Sequence, residues 1–135
     1  ENVFTKLKVS NSKNAIIVAN SKVIHHILPN LLLPIDRQYT IRFFTRIKDN
    51  WFSDKSGKYK LVSIPRKEKQ YDLFKKIVYK SYDFFKNIEL REFEINQDTF
   101  NTSYPKILDN LIVAYVRMKK TDLIQEMKSQ QSLHQ

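Results

Sequence analysis

The sequence contains no cysteine and a single glycine among its 135 residues. Without cysteine the chain has neither a disulfide framework nor a thiolate metal site, so thiol chemistry is excluded. With Gly57 alone, the glycine-rich phosphate loops of the P-loop and dinucleotide-binding types cannot form, because both need several glycines at set spacings. The sequence therefore excludes nucleotide-dependent catalysis of those two types.

Long hydrophobic runs are also missing, because no stretch approaches the roughly 18 apolar residues that a membrane-spanning helix needs. Hydrophobic residues make up 41% of the sequence and charged residues 28%, a composition that is typical of globular chains. At this length we expect one domain with an extension, because two separate cores would each be close to the lower size limit. We predict a globular protein that does not contact a membrane.

Positive charge is abundant and unevenly placed. The chain carries 24 Lys and Arg against 14 Asp and Glu, and within residues 37–69 ten bases stand against three acids. This segment therefore accounts for +7 of the net charge of +10. A local excess of this kind creates a field suited to a polyanion such as nucleic acid. The alternative is that these cations only solvate an outer face.

Hydrophobic periodicity predicts both helices and strands. Apolar residues with a helical spacing predict three helices, over residues 12–28, 69–86 and 104–129. Alternation of apolar and polar residues predicts four strands, over residues 4–9, 38–48, 58–64 and 88–95. The order strand, helix, strand, strand, helix, strand predicts an α+β fold of the split βαβ or ferredoxin-like type, in which two helices cover one face of an antiparallel sheet.

We assign the ferredoxin-like RNA-binding domain to residues 1–98 and a linker with a C-terminal helical extension to residues 99–135. Residues 38–64 are expected to form a long basic hairpin. Its regularly spaced cations would contact phosphates, and the aromatic residues at its tip would stack on unpaired bases. The predicted RNA-binding residues are Arg37, Arg42, Arg46, Lys48, Trp51, Lys55, Lys58, Lys60, Arg66 and Lys67.

No catalytic or metal-binding set of residues stands out. His25 and His26 are adjacent, so a helix would point them about 100° apart, and we interpret them as capping or surface residues. Glu92 and Glu94 alternate with apolar neighbours, which is typical of the solvent face of a strand and not of a nuclease site. We predict no enzymatic activity, no cofactor, no metal ion and no small-molecule substrate.

The apolar stripe of the C-terminal helix can pack on the chain's own core or in the groove of a partner protein. Because two helices already cover the predicted sheet, we favour the partner. The predicted protein-contact residues are Ile107, Leu111, Ile112 and Tyr115.

The order of elements and the segment "LLLPIDRQYTI" resemble the family of the tenth small-subunit ribosomal protein. In that family a Pro-Leu-Pro segment leads through a basic residue to a Tyr-Thr-Val strand, and here Leu33-Pro34, Arg37 and residues 39–41 stand in those places. The resemblance covers about residues 4–96. It implies a split βαβ fold whose hairpin enters the head of the small subunit, between rRNA and neighbouring proteins.

The resemblance thus implies a structural constituent of the small ribosomal subunit, with rRNA and other small-subunit ribosomal proteins as partners. The abundance of Lys, Asn, Ile, Phe and Tyr is typical of an AT-rich genome, as in organelles, and we expect a mitochondrial ribosome. Two alternatives stay open. One is a fragment of an organellar homing endonuclease or maturase, and the other is an interaction module of a larger assembly that contacts no RNA.

Overall fold

The structure is a computed structural model, and it is helical throughout its regular parts. It describes residues 2–7, 9, 16–45, 62–87, 95–96 and 101–132. Within these ranges there is no β-strand, and no helix is long and apolar enough to cross a membrane. The elements are α1 (Asn2–Lys6), α2 (Ile16–Ile27), a π-helix (Arg37–Ile41) that runs into α3 (Arg42–Thr45), α4 (Lys67–Asn87) and α5 (Tyr104–Ser132).

Helix α2 is held to its neighbours by polar side chains that are buried together with its apolar face. The amide nitrogen of Asn20 donates to the carbonyl oxygens of Phe4 (2.6 Å) and Leu7 (3.1 Å), which satisfies backbone groups at the end of α1. The Oε1 atom of Gln70, in α4, accepts from the backbone N–H of Ile17 at 3.0 Å. Because each buried polar group has a partner, its burial carries no large desolvation cost.

The predicted strand over residues 38–48 is wrong for residues 38–45, which are helical. The Asp36 carboxylate accepts from the backbone N–H groups of Gln38 (2.7 Å) and Tyr39 (3.1 Å), as an N-cap does. The first turn is π-helical, since the N–H of Ile41 donates to the carbonyl of Asp36, five residues earlier, at 2.9 Å. An Asp cap before an apolar segment is a helix-start signal that the alternating pattern concealed.

Packing explains why this segment does not form a half-exposed strand. Phe43 and Phe44 are neighbours in sequence and would point to opposite faces of a strand. In the structure Phe44 is buried, while the ring of Phe43 lies 5.6 Å from that of Phe84 and 5.8 Å from that of Tyr115. Both rings are therefore covered by other helices, which a strand with one solvent face would not permit.

The predicted ferredoxin-like α+β fold is therefore wrong for the part of the chain that the structure describes. Phe4, from the first predicted strand, lies in α1, and residues 62–64 have no regular structure. The remainder of the predicted hairpin, residues 46–61, and most of the last strand, residues 88–94, lie outside the described residues. A short run of alternating apolar and polar residues does not distinguish a strand from a helix. A helix that is covered on several sides can also have apolar residues at alternating positions.

Three of the predicted helices are confirmed, and all contribute to one hydrophobic core. Helix α1 packs on α2, α2 on α4, and α5 on the π-helix. The cap of α5 is Ser103, whose hydroxyl donates to the carbonyl of Pro29 (2.9 Å) and accepts from the N–H of Lys106 (3.3 Å). The buried core residues are Phe4, Ile17, Ile24, Leu33, Ile35, Ile41, Phe44, Val62, Ile77, Leu108, Ile112 and Val116.

Candidate functional site

Two of the predicted RNA-binding arginines take part in internal hydrogen bonds. Arg42 is only 5% exposed, and its guanidinium donates to the backbone carbonyl (3.1 Å) and to the side-chain oxygen (2.9 Å) of Gln38. The Nε of Arg37 donates to the carbonyl of Val62 at 2.6 Å. The sequence pattern placed Arg42 on the solvent face of a strand, whereas the helix directs it into the fold.

We expect the substitution Arg42→Ala to lower the free energy of unfolding by about 1–3 kcal/mol, because it removes charged hydrogen bonds and buried side-chain contacts. Urea denaturation followed by circular dichroism measures the change. The matched control is Lys67→Ala, at an exposed position, which should change stability by no more than about 0.5 kcal/mol. Unchanged stability in Arg42→Ala, with weaker RNA binding, would instead make the guanidinium a direct ligand.

The remaining predicted RNA-binding residues are exposed or lie outside the described residues. Arg66 and Lys67 are exposed where α4 begins. The residues outside the described ranges are Arg46, Lys48, Trp51, Lys55, Lys58 and Lys60.

Helix α4 extends the basic segment over a described surface. Lys69, Lys76 and Lys80 are exposed, and their spacings of seven and four residues place them along one side of the helix. The Nζ of Lys80 also donates to the carbonyl of Phe44 at 2.9 Å, at the end of α3. We call Arg66, Lys67, Lys69, Lys76 and Lys80 the basic strip.

An exposed aromatic ring and an ion pair lie beside the basic strip. Tyr79, next to it on α4, is 69% exposed, and an exposed aromatic ring among lysines is a surface on which unpaired bases stack. Asp72 is paired with Lys75, with 3.0 Å between Nζ and Oδ1, so it offsets a cation outside the strip. Glu68, an exposed acid, lies between Lys67 and Lys69, and Asp83 follows the last lysine of the strip.

A cleft lies between α2, the π-helix and α5. Its volume is about 340 Å³. It is lined by charged groups of both signs and by two histidines, but most of its lining surface is apolar. The lining residues are Lys22, His25, His26, Pro34, Asp36, Tyr39, Lys106, Asp109 and Val113.

Several of these lining groups also support the fold. The Nδ1 atom of His25 lies 2.6 Å from the carbonyl oxygen of Leu32, and because a carbonyl only accepts, this ring nitrogen carries the hydrogen. Asp109 is 7% exposed and pairs with Lys106, with 2.6 Å between Oδ2 and Nζ. Sequence reasoning missed the cleft, because the i, i+3 spacing of this pair is visible in the sequence but its position beside α2 is not.

Among the described residues, no group of three or more His, Asp or Glu side chains is arranged to hold a metal ion. The groups that line the cleft are instead suited to binding a polar organic ligand by hydrogen bonds and charge.

The four predicted protein-contact residues differ in their exposure. Ile107 and Ile112 are each 1% exposed and belong to the interior of this chain. Leu111 is half-buried, and Tyr115 is exposed, although its ring meets that of Phe43 edge to face. The apolar stripe thus packs largely on the chain's own core, which was the alternative to partner docking.

The chain matches no family model, and neither the curated proteins nor the solved structures include one with significant similarity to it. The resemblance to the ribosomal family therefore rests on the sequence pattern alone. The sheet that this resemblance implied is the part of the interpretation that the described residues contradict.

Proposed function

We propose that this protein is a non-enzymatic RNA-binding component of a ribonucleoprotein assembly. The observation that carries the proposal is the concentration of positive charge in residues 46–69, where eight bases stand against three acids. The described end of that segment is exposed at Arg66, Lys67 and Lys69. A basic segment that continues onto a stable helix provides a surface along which a phosphate backbone can lie.

The basic strip suits RNA because it combines charge with an aromatic group on a rigid support. The strip lies on a helix of 21 residues whose inner face is anchored in the core by Ile77, so the lysines keep their spacing when RNA binds. Each lysine that neutralises a phosphate releases counterions, which favours binding at low salt. Tyr79 offers a ring for one unpaired base, and unpaired regions are where proteins recognise RNA most often.

The small subunit of a mitochondrial ribosome is the particular assembly that we propose. Support comes from the Lys- and Asn-rich composition and from the resemblance in residues 31–41. The hairpin is not part of this proposal. The protein would contact rRNA through the basic strip and residues 46–60, and would contact neighbouring ribosomal proteins through exposed parts of α5.

Fluorescence anisotropy with a single-stranded RNA of about 20 nucleotides tests the RNA-binding function. With three to five phosphate contacts we expect the logarithm of the association constant to fall with the logarithm of salt concentration, with a slope of about −2 to −3.5. Affinity that does not depend on salt would contradict a phosphate-based surface. Co-sedimentation of the tagged protein with the small ribosomal subunit tests the assembly, and recovery only in fractions without rRNA would exclude it.

A further inference from the structure

The cleft between α2, the π-helix and α5 supports a second inference, which is independent of the basic strip. Its volume of about 340 Å³ lies within the range of roughly 300–1,000 Å³ that small-ligand sites occupy. Three elements contribute lining residues: Lys22 from α2, Tyr39 from the π-helix and Lys106 from α5. A ligand there would therefore contact elements that are distant in sequence.

The inner part of the cleft has hydrogen-bond acceptors with spare capacity. Asp36 uses Oδ1 for both capping N–H groups, and Asp109 uses Oδ2 for Lys106. The second oxygen of each carboxylate accepts no hydrogen bond from the described part of the chain. His25 donates through Nδ1, so in the neutral ring Nε2 is a further acceptor.

These acceptors are reached from the cleft. Among the described residues, no fully buried side-chain nitrogen or oxygen lacks a hydrogen-bond partner. The spare oxygen of Asp109 is therefore not fully enclosed, although the residue as a whole is only 7% exposed. A mostly buried carboxylate that keeps one oxygen open at a cleft is ready to accept a hydrogen bond from a ligand.

The rim of the cleft carries a positive charge that no ion pair with a described residue neutralises. Lys22 and His26 are four residues apart on α2, so they lie on one face of the helix, and both are exposed. Lys22 forms no ion pair with any described residue, whereas the charge of Lys106 is already paired with Asp109. The rim therefore attracts an anionic group, while the interior attracts hydrogen-bond donors.

We propose that the cleft binds a single nucleotide whose base carries an exocyclic amino group. Lys22 and His26 hold the phosphate, and the open oxygens of Asp36 and Asp109 accept from the amino group, as carboxylates do from cytosine N4. The aromatic ring of Tyr39, together with Pro34 and Val113, forms the apolar wall beside the base. Carboxylates that accept from the amino group, with Lys22 and the His26 ring at the phosphate, need no glycine-rich loop.

Isothermal titration of the full chain with AMP, CMP, UMP and inorganic phosphate tests the site. We expect saturable binding of AMP or CMP, and about tenfold weaker binding of UMP, which lacks the amino group. Inorganic phosphate should bind more weakly than either amino-bearing nucleotide. The absence of saturable binding by every nucleotide would overturn the proposal, as would equal affinity for all three.

A variant assigns the phosphate contact. Lys22→Gln should weaken AMP binding about tenfold and leave adenosine binding unchanged, because adenosine has no phosphate. Lys22 is exposed and outside the core, so its replacement should not disturb folding. Lys86→Gln removes the same charge from an exposed position on α4 that belongs neither to the cleft lining nor to the basic strip, and should leave AMP binding unchanged. Equal AMP affinity in Lys22→Gln and the unaltered protein would overturn the assignment.

The nucleotide has two possible sources, which a competition experiment separates. If AMP displaces a single-stranded RNA that ends in adenosine, the cleft holds a nucleotide of an RNA chain. If AMP binds and the RNA stays in place, the ligand is a free nucleotide. Both results support the site, and the direct titration with AMP tests it independently of RNA binding through the basic strip.

Discussion

Replacing Leu108 with alanine is expected to lower the free energy of unfolding by about 2–5 kcal/mol. Leu108 is fully buried in the first half of α5 and belongs to the same core as Ile41 and Ile77, from the π-helix and α4. Removing its side chain leaves a cavity that several helices border, so the loss should appear in the unfolding of the whole domain. Urea denaturation followed by circular dichroism and by tyrosine fluorescence measures it.

The same experiment tests the division of the chain into residues 1–98 and a separate extension, which is still a prediction. If α5 were such an extension, Leu108→Ala would leave the unfolding of the remaining helices unchanged. The control is Ile124→Ala on the same helix, where the side chain is 43% exposed and the expected change is within about 0.5 kcal/mol. A loss of stability in Leu108→Ala alone, with both probes coinciding, would show that α5 is integral to the domain.

Removing three cations of the basic strip is expected to weaken RNA binding about 10- to 100-fold at low salt. In the variant Lys67→Gln, Lys69→Gln, Lys76→Gln the slope of log affinity against log salt should become less negative by about 2, since each phosphate contact contributes about 0.7. All three side chains are exposed, and their replacement leaves the core of α4 intact. Anisotropy titrations at several salt concentrations provide both quantities.

A charge-matched control separates a local effect from an effect of net charge. Arg117→Gln, Lys119→Gln, Lys120→Gln removes three exposed cations from α5, and should reduce affinity by much less. An equal loss in both triple variants would indicate non-specific attraction to a basic protein. No loss in the basic-strip variant would exclude α4 as the RNA-binding surface.

The reliability of the sequence patterns depended on the length of the element. Helices α2, α4 and α5 were predictable, since 12 or more residues give several turns over which an apolar stripe repeats. The helical conformation of residues 38–45 was not predictable in this way. Eight residues are enough to satisfy the alternating pattern of a strand, whereas Asp36, Phe43 and Phe44 favour a packed helix. For a segment this short, the contacts made by other parts of the chain decided the conformation.

The candidate sites were also predictable only in part. The basic segment was visible in the sequence, because charge can be counted without knowing the fold. The sequence did not show which of its cations are exposed: Arg42 is buried, whereas Arg66 and Lys67 are exposed. Likewise, Lys22, Asp36 and Asp109 lie far apart in sequence and belong to one cleft only because α2, the π-helix and α5 meet there.

The sequence by itself determined the three longer helices, the location of the positive charge and the exclusion of thiol and glycine-loop chemistry. Those properties follow from residue type and local spacing, which do not change with the fold. The tertiary structure decided that the helix start at Asp36 prevails over the alternating pattern of residues 37–45, that Arg42 is buried and that a cleft joins α2, the π-helix and α5. Asp36 and Gln38 supply hydrogen bonds locally, but distant residues decide which side chains are shielded from water, and local spacing carries no information about those residues.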